Sequence, residues 1–122
     1  MKVMLDTSVL VASMVRSHPR RAQTLDWIRK IREGAIEGLA STHTLAELYA
    51  VLTSLPLRPR ITTGQARAMI RKNVDSAMTC VSLGVPDYRH VLHALSDLGL
   101  PGGVFYDALT ARAARKAGAD LL

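Results

Sequence analysis

Apolar positions along this chain follow two rhythms: short unbroken runs, and longer stretches where they recur every three or four residues. The first rhythm suits strands buried on both faces, and the second suits helices with one buried side. Residues 2–5 predict a short apolar strand, and Thr7 to Val15 the helix after it. His18-Pro19 breaks that helix. A second helix follows from about Arg20 to Glu33, with Leu25, Ile28 and Ile31 on one face and Gly34 at its end. Ile36 to Ser41 reads as a second strand.

Thr44 to Leu55 predicts a helix with Leu45, Leu48, Tyr49 and Leu52 as one apolar stripe, stopped by Pro56 and Pro59. Thr62 caps the next helix, which runs to about Ala77, with Gln65 placed to complete a capping box. Met78 to Leu83 is the third strand. Pro86 opens a helix to Leu98, and Val104 to Ala117 makes an alanine-rich helix that stops at Gly118. Ala119 to Leu122 begins a fourth strand. Strands alternating with helices imply an α/β fold with a parallel sheet, in which sites form at the carboxyl ends of the strands.

That rule singles out Asp6, which follows the first strand and precedes a helix. Two further carboxylates stand near helix starts. Glu47 closes the stretch Thr44-Leu45-Ala46-Glu47, and Asp107 lies just after the pair Gly102-Gly103. Each has a plain structural explanation: Asp6 as an N-cap, Glu47 as the far member of a capping box with Thr44, Asp107 as a partner of the helix dipole. Together they suggest more. A doubly wound sheet can bring such helix starts to one edge, where three carboxylates repel unless a cation holds them. Hard oxygen donors suit Mg²⁺ or Mn²⁺, ions that promote in-line phosphoryl displacement.

Composition bears on this reading. At 122 residues and 48% hydrophobic, the chain has the size and core of one domain. No apolar run reaches the roughly 18 residues of a membrane span. The apolar stretch Val3 to Leu5 is too short for a signal peptide, so a cytoplasmic protein is expected. The formal net charge of +6 favours a polyanionic partner, although an arginine-rich codon usage would give the same surplus. With five aromatic residues, an extended platform for stacking single strands is not expected. Cys80 stands alone, which excludes an internal disulfide and a thiolate-rich zinc site; its apolar surroundings predict a buried, inert thiol.

The segments MKVMLDTSVLVA, STHTLAELYAVLTSLP and GGVFYDALTARAARKAGADLL, in this order, resemble the PIN-domain ribonucleases, and within them the VapC toxins of bacterial toxin–antitoxin pairs. The resemblance covers essentially the whole chain. It implies a three-layer α/β fold with a central parallel sheet flanked by helices, and an acidic site for Mg²⁺ or Mn²⁺. On it, Asp6, Glu47 and Asp107 match three catalytic, metal-binding acids. It further implies an RNA substrate, a VapB-like antitoxin and a homodimer. The family pattern continues past the GADLL-like run into a loop with a fourth Asp or Asn and a last strand. This sequence stops at Leu122, so a domain lacking that strand and that acid is expected, and Asp120 does not fill the gap. Two alternatives stay open: a catalytically silent domain that binds RNA or a partner, and a nuclease of RNA maturation.

Other polar residues offer less. His90, His93 and Asp97 share a helical face, but a solvated stripe explains them and no fourth zinc ligand accompanies them. His18 and His43 show no partner for general-base work, Ser8 has no nucleophilic triad, and no phosphate-binding loop is present. Arg58 and Arg60, in a proline-rich loop, read as ordinary soluble residues that could also touch RNA phosphates.

Overall fold

The computed structural model describes residues 1–120. Three strands, β1 (Lys2–Met4), β2 (Glu37–Ser41) and β3 (Thr79–Val81), form a parallel sheet in the order β1-β2-β3. Among the described residues six α-helices accompany them: α1 (Thr7–Met14), α2 (Arg21–Arg32), α3 (Thr42–Ser54), α4 (Thr63–Ile70), α5 (Val85–Leu98) and α6 (Val104–Ala117). A π-helical turn, Arg71–Asp75, extends α4 and carries the fully buried Val74. The α/β class and the parallel sheet agree with the pattern in the sequence. No helix among the described residues is long and apolar enough to cross a membrane.

Alternation along the strands builds two cores. Val3, Leu5 and Ala40 point to one side of the sheet, where they meet Leu10, Ile28, Ile31, Leu48 and Leu52 from α1, α2 and α3. Met4 and Leu39 point to the other and meet Val91 of α5 with Leu109 and Ala113 of α6. Both faces are therefore covered, which is why these short strands read as continuous apolar runs. The result is three layers.

Gly38 lets α2 approach β2. A Cβ at that position would sit 2.7 Å from Ile31 Cδ1 and 3.1 Å from its Cγ1 and Cγ2. Ile31 is buried and β-branched, so it has little room to turn aside. Gly38→Ala is expected to destabilise the fold by about 1–3 kcal/mol, the usual cost of overpacking. Urea unfolding would check this, and an unchanged midpoint would show that the contact relaxes freely.

On the opposite layer, Asp87 ties α5 to α6. Its carboxylate is almost fully buried and accepts from Lys116 Nζ at 2.9 Å, Arg112 Nε at 3.0 Å and Gly84 N–H at 2.9 Å. The Lys116 bond above all, then the Gly84 amide and Arg112, outweigh burial and hold its pKa down to about 2. Because the folded value lies below the unfolded one of about 3.9, this contribution is present above about pH 4 and lost as pH falls towards 2. Asp87→Asn should lower the melting temperature at neutral pH and flatten the acid side of the stability profile. Parallel pH profiles for the two proteins would refute this role.

Several expectations are corrected. Cys80 is exposed rather than buried, because β3 is the short outer strand of the sheet. Desolvation, then the charge of Asp75, still pushes its thiol pKa up, so it remains unreactive as a thiolate. Tyr49 is 44% exposed, and so stands outside the apolar stripe assigned to it. Of the expected fourth strand, Ala119 to Leu122, residues 121 and 122 lie outside the described residues. Among the described residues, Gly118, at φ +68°, ends α6, and Asp120 N–H donates to Lys2 O at 2.8 Å on the edge of β1 away from β2.

Candidate active site

The segment after β1 and the helices α1, α3 and α6 surround a cleft of about 370 Å³. Asp6, Glu47 and Asp107 all line it, together with Thr7, His18 and Tyr106. Neither Lys nor Arg lines it, although the chain carries 16 of them. An acidic hollow has formed in a basic protein.

Asp6 reaches the cleft because β1 ends one residue before Leu5, whose side chain is anchored in the core. Its Oδ1 accepts from Val9 N–H at 3.0 Å and Ser8 Oγ–H at 2.8 Å. The residue is thus the N-cap of α1, as its local sequence allowed. Capping occupies one oxygen and does not remove the residue from the cleft. Asp107, in the first turn of α6, is exposed. Its place in the first turn suits the helix dipole, as the sequence allowed, and it also lines the open cleft.

Glu47 differs most from its local reading. The N-cap of α3 is Ser41, three residues before Thr44, so Glu47 lies beyond the first turn and cannot close a box with Thr44. Thr44 is fully buried, with its Oγ1 3.2 Å from Ser41 Oγ. Glu47 Oε1 instead accepts from Thr7 Oγ1–H at 3.2 Å and lies 3.2 Å from His43 Nε2. The capping explanation for Glu47 therefore falls away.

His43 was missed as a member of this site. It is buried, with Nδ1 against Ser41 Oγ and Nε2 3.1 Å from Thr110 Oγ1. Burial lowers its pKa; the charge of Glu47 and the Tyr106 carbonyl act in the opposite direction. The spacing of His43 and Glu47, four apart on one helix, was the available signal. His18 also gains a place, since the break at Pro19 sets it at the edge of the cleft, where its Nδ1 accepts from Arg20 N–H at 3.1 Å. His93 and Asp97 stay outside, as an exposed pair 3.3 Å apart.

The donor set is chemically suited to a hard divalent ion: three carboxylates around one hollow, with hydroxyls beside them. Among the described residues, no three His, Cys, Asp or Glu side chains are already gathered closely enough to hold an ion. The acids line a common space without converging on a point.

The model of the PIN domain matches residues 3–122. The chain belongs to the PIN-domain family. Curated relatives include ribonuclease VapC27 and ribonuclease VapC40 of Mycobacterium tuberculosis. Each is 33% identical over 117 residues, 96% of this chain, which correspond to 80% and 81% of those proteins. Among solved structures, VapC20 of Mycobacterium tuberculosis, a toxin that cleaves the sarcin–ricin loop, aligns with a TM-score of 0.73 at 18% identity. That alignment spans 96% of this chain and 84% of the other. VapBC2 of Rickettsia felis, bound to a promoter DNA fragment, aligns at 0.68 and 20% identity, over 99% and 86%. These two structural likenesses bear on the fold, and they agree with the three-layer PIN architecture expected from the sequence.

Proposed function

We propose that this PIN domain is a divalent-cation-dependent endoribonuclease of VapC type, with Asp6, Glu47 and Asp107 as its catalytic, metal-binding acids. The observation that carries the reading is the cleft itself: three carboxylates from three elements share one hollow free of Lys and Arg in a chain of net charge +6. Such a hollow repels a phosphodiester unless a cation intervenes, whereas the net positive charge of the chain as a whole attracts the polyanion. A Mg²⁺ or Mn²⁺ ion there would supply Lewis-acid stabilisation of charge developing on the phosphate oxygens. The chain's own part is to present carboxylate oxygens from the start of α1, the second turn of α3 and the first turn of α6, and to leave the cleft open to an RNA strand. The curated relatives, named as ribonucleases, support RNA as the substrate.

The same reading includes a VapB-like antitoxin and self-association, in the cytoplasm. A neighbour solved as a VapBC assembly supports the first. Exposed Leu92, Leu98 and Leu100, on and just after α5, offer apolar surface for a protein partner.

One observation favours a second reading, a PIN domain that binds without cutting: the acids are not gathered into a ready-made ligand set among the described residues. Incubating the chain with labelled RNA in Mn²⁺, in Mg²⁺ and in EDTA decides between them. Internal cuts that EDTA abolishes are expected. Binding of Mn²⁺ without any cleavage would favour the silent domain, and cleavage that persists in EDTA would sink the cation-dependent site.

A further inference from the structure

Glu47 is a long side chain with much rotamer freedom to lose, yet the site needs one of its oxygens in one place. The structure shows what could restrain it. Ser41 at the end of β2, His43 on α3 and Thr110 on α6 form a buried polar cluster that ends on Glu47 Oε1. Thr7 Oγ1–H of α1 donates to the same oxygen at 3.2 Å.

One arrangement of protons makes every contact attractive: His43 Nε2 approaches Glu47 Oε1 at 3.2 Å as a charge–dipole contact, while its hydrogen-bond partner is Thr110 Oγ1 at 3.1 Å. A carboxylate can only accept, so the contact between His43 Nε2 and Glu47 Oε1 is favourable when Nε2 carries the hydrogen. Nδ1 is then an acceptor, and the Ser41 hydroxyl against it donates. Thr110 donates to the Tyr106 carbonyl at 3.3 Å and turns a lone pair towards His43 Nε2. In the other neutral tautomer Nε2 could accept from Thr110, but its lone pair would then also face a carboxylate oxygen at 3.2 Å, a repulsion that the first arrangement removes.

We propose that His43 is a positioning residue: its Nε2–H, fixed by Ser41, holds Glu47 Oε1 and thereby commits Oε2 to the cation in the cleft. The proposal rests on the reading of the cleft as a cation site. It assigns Oε1 to the protein and Oε2 to the ion, a division typical of ligating carboxylates whose second oxygen is hydrogen-bonded by the surrounding protein. It also links three elements at the site, since His43 and Glu47 ride on α3 while Ser41 and Thr110 come from β2 and α6.

Two measurements test it. In the metal-free, ¹⁵N-labelled protein, long-range ¹H–¹⁵N spectra should show His43 protonated at Nε2 alone, with the Nε2 resonance moved by Glu47→Gln. A ring protonated at Nδ1 instead, or an Nε2 signal indifferent to Glu47→Gln, overturns the proposal. In Mn²⁺ titrations followed by electron paramagnetic resonance, His43→Leu should weaken binding by about 10–100-fold. His43→Gln, whose amide N–H can reach as Nε2–H does, should stay near wild type. Wild-type affinity in His43→Leu, or equal loss in both variants, overturns it. A wild-type protein that binds no Mn²⁺ sinks the cation reading of the cleft, and the ring-nitrogen pattern then still decides whether His43 holds Glu47. That first measurement needs no His43 variant, so it decides the pairing even if His43→Leu fails to fold.

Discussion

Asp6→Asn and Asp107→Asn should each reduce Mn²⁺-dependent RNA cleavage by at least about a hundredfold while leaving the protein folded. The two substitutions reach this outcome by different routes. Asp6 has two tasks, capping α1 through Oδ1 and lining the cleft. Asparagine caps a helix about as well as aspartate, so Asp6→Asn keeps the bond to Val9 N–H and removes only the charge. Asp107 is exposed in the first turn of α6, so its amide costs little beyond a weak interaction with the helix dipole. Circular dichroism and thermal melts should thus match wild type in both variants, and activity should not. Asp6→Ala is the useful contrast, since it loses the cap as well and should lose about 1 kcal/mol of stability. If cleavage survives in both Asn variants, the three-acid site is wrong.

The largest stability effect is expected at Leu48, immediately after Glu47. Its side chain is fully buried between α3 and the neighbouring helices. Leu48→Ala should cost about 2–5 kcal/mol, from lost transfer energy and the cavity left behind. Domains of this kind have only about 5–15 kcal/mol in total, so the variant would approach the folding limit. Urea unfolding should show a lower midpoint with an unchanged slope. Tyr49→Ala, one residue on, serves as the control. Tyr49 is 44% exposed, and its loss should lie within about 0.5 kcal/mol. Equal costs at the two positions would contradict the packing of α3 on the sheet. Because Glu47 shares that helix, a fold loosened at Leu48 should also bind Mn²⁺ more weakly.

What could be read from the residues alone follows from periodicity and local chemistry. The runs at Val3–Leu5 and Leu39–Ser41, and the three-to-four spacing between them, specify strands and helices because burial on two faces or one leaves different patterns. The Thr62–Gln65 capping box formed as its spacing requires, with bonds of 3.1 Å and 2.9 Å, because both partners lie within one turn. The order of the three acid-bearing segments carried the PIN resemblance, and Asp6, Glu47 and Asp107 do line one cleft.

Tertiary structure decided the rest, wherever the partners are far apart in sequence. Thr44 and Glu47 look like a capping box until β2 carries α3 back to Ser41, which moves Glu47 out of the first turn and towards Thr7, 40 residues away. His43 had no visible partner because one of them, Thr110, is 67 residues distant on α6. Asp87 drew no notice in the sequence, since Arg112 and Lys116, which α6 brings against it, lie 25 and 29 residues away. Cys80 lay in an apolar run, but only the strand order shows that its strand is an outer one. Helical and strand periods record which side of an element is buried, and family order records which acids belong together. Neither records what a folded neighbour places opposite a given side chain, and it is that which fixes how Glu47 is held.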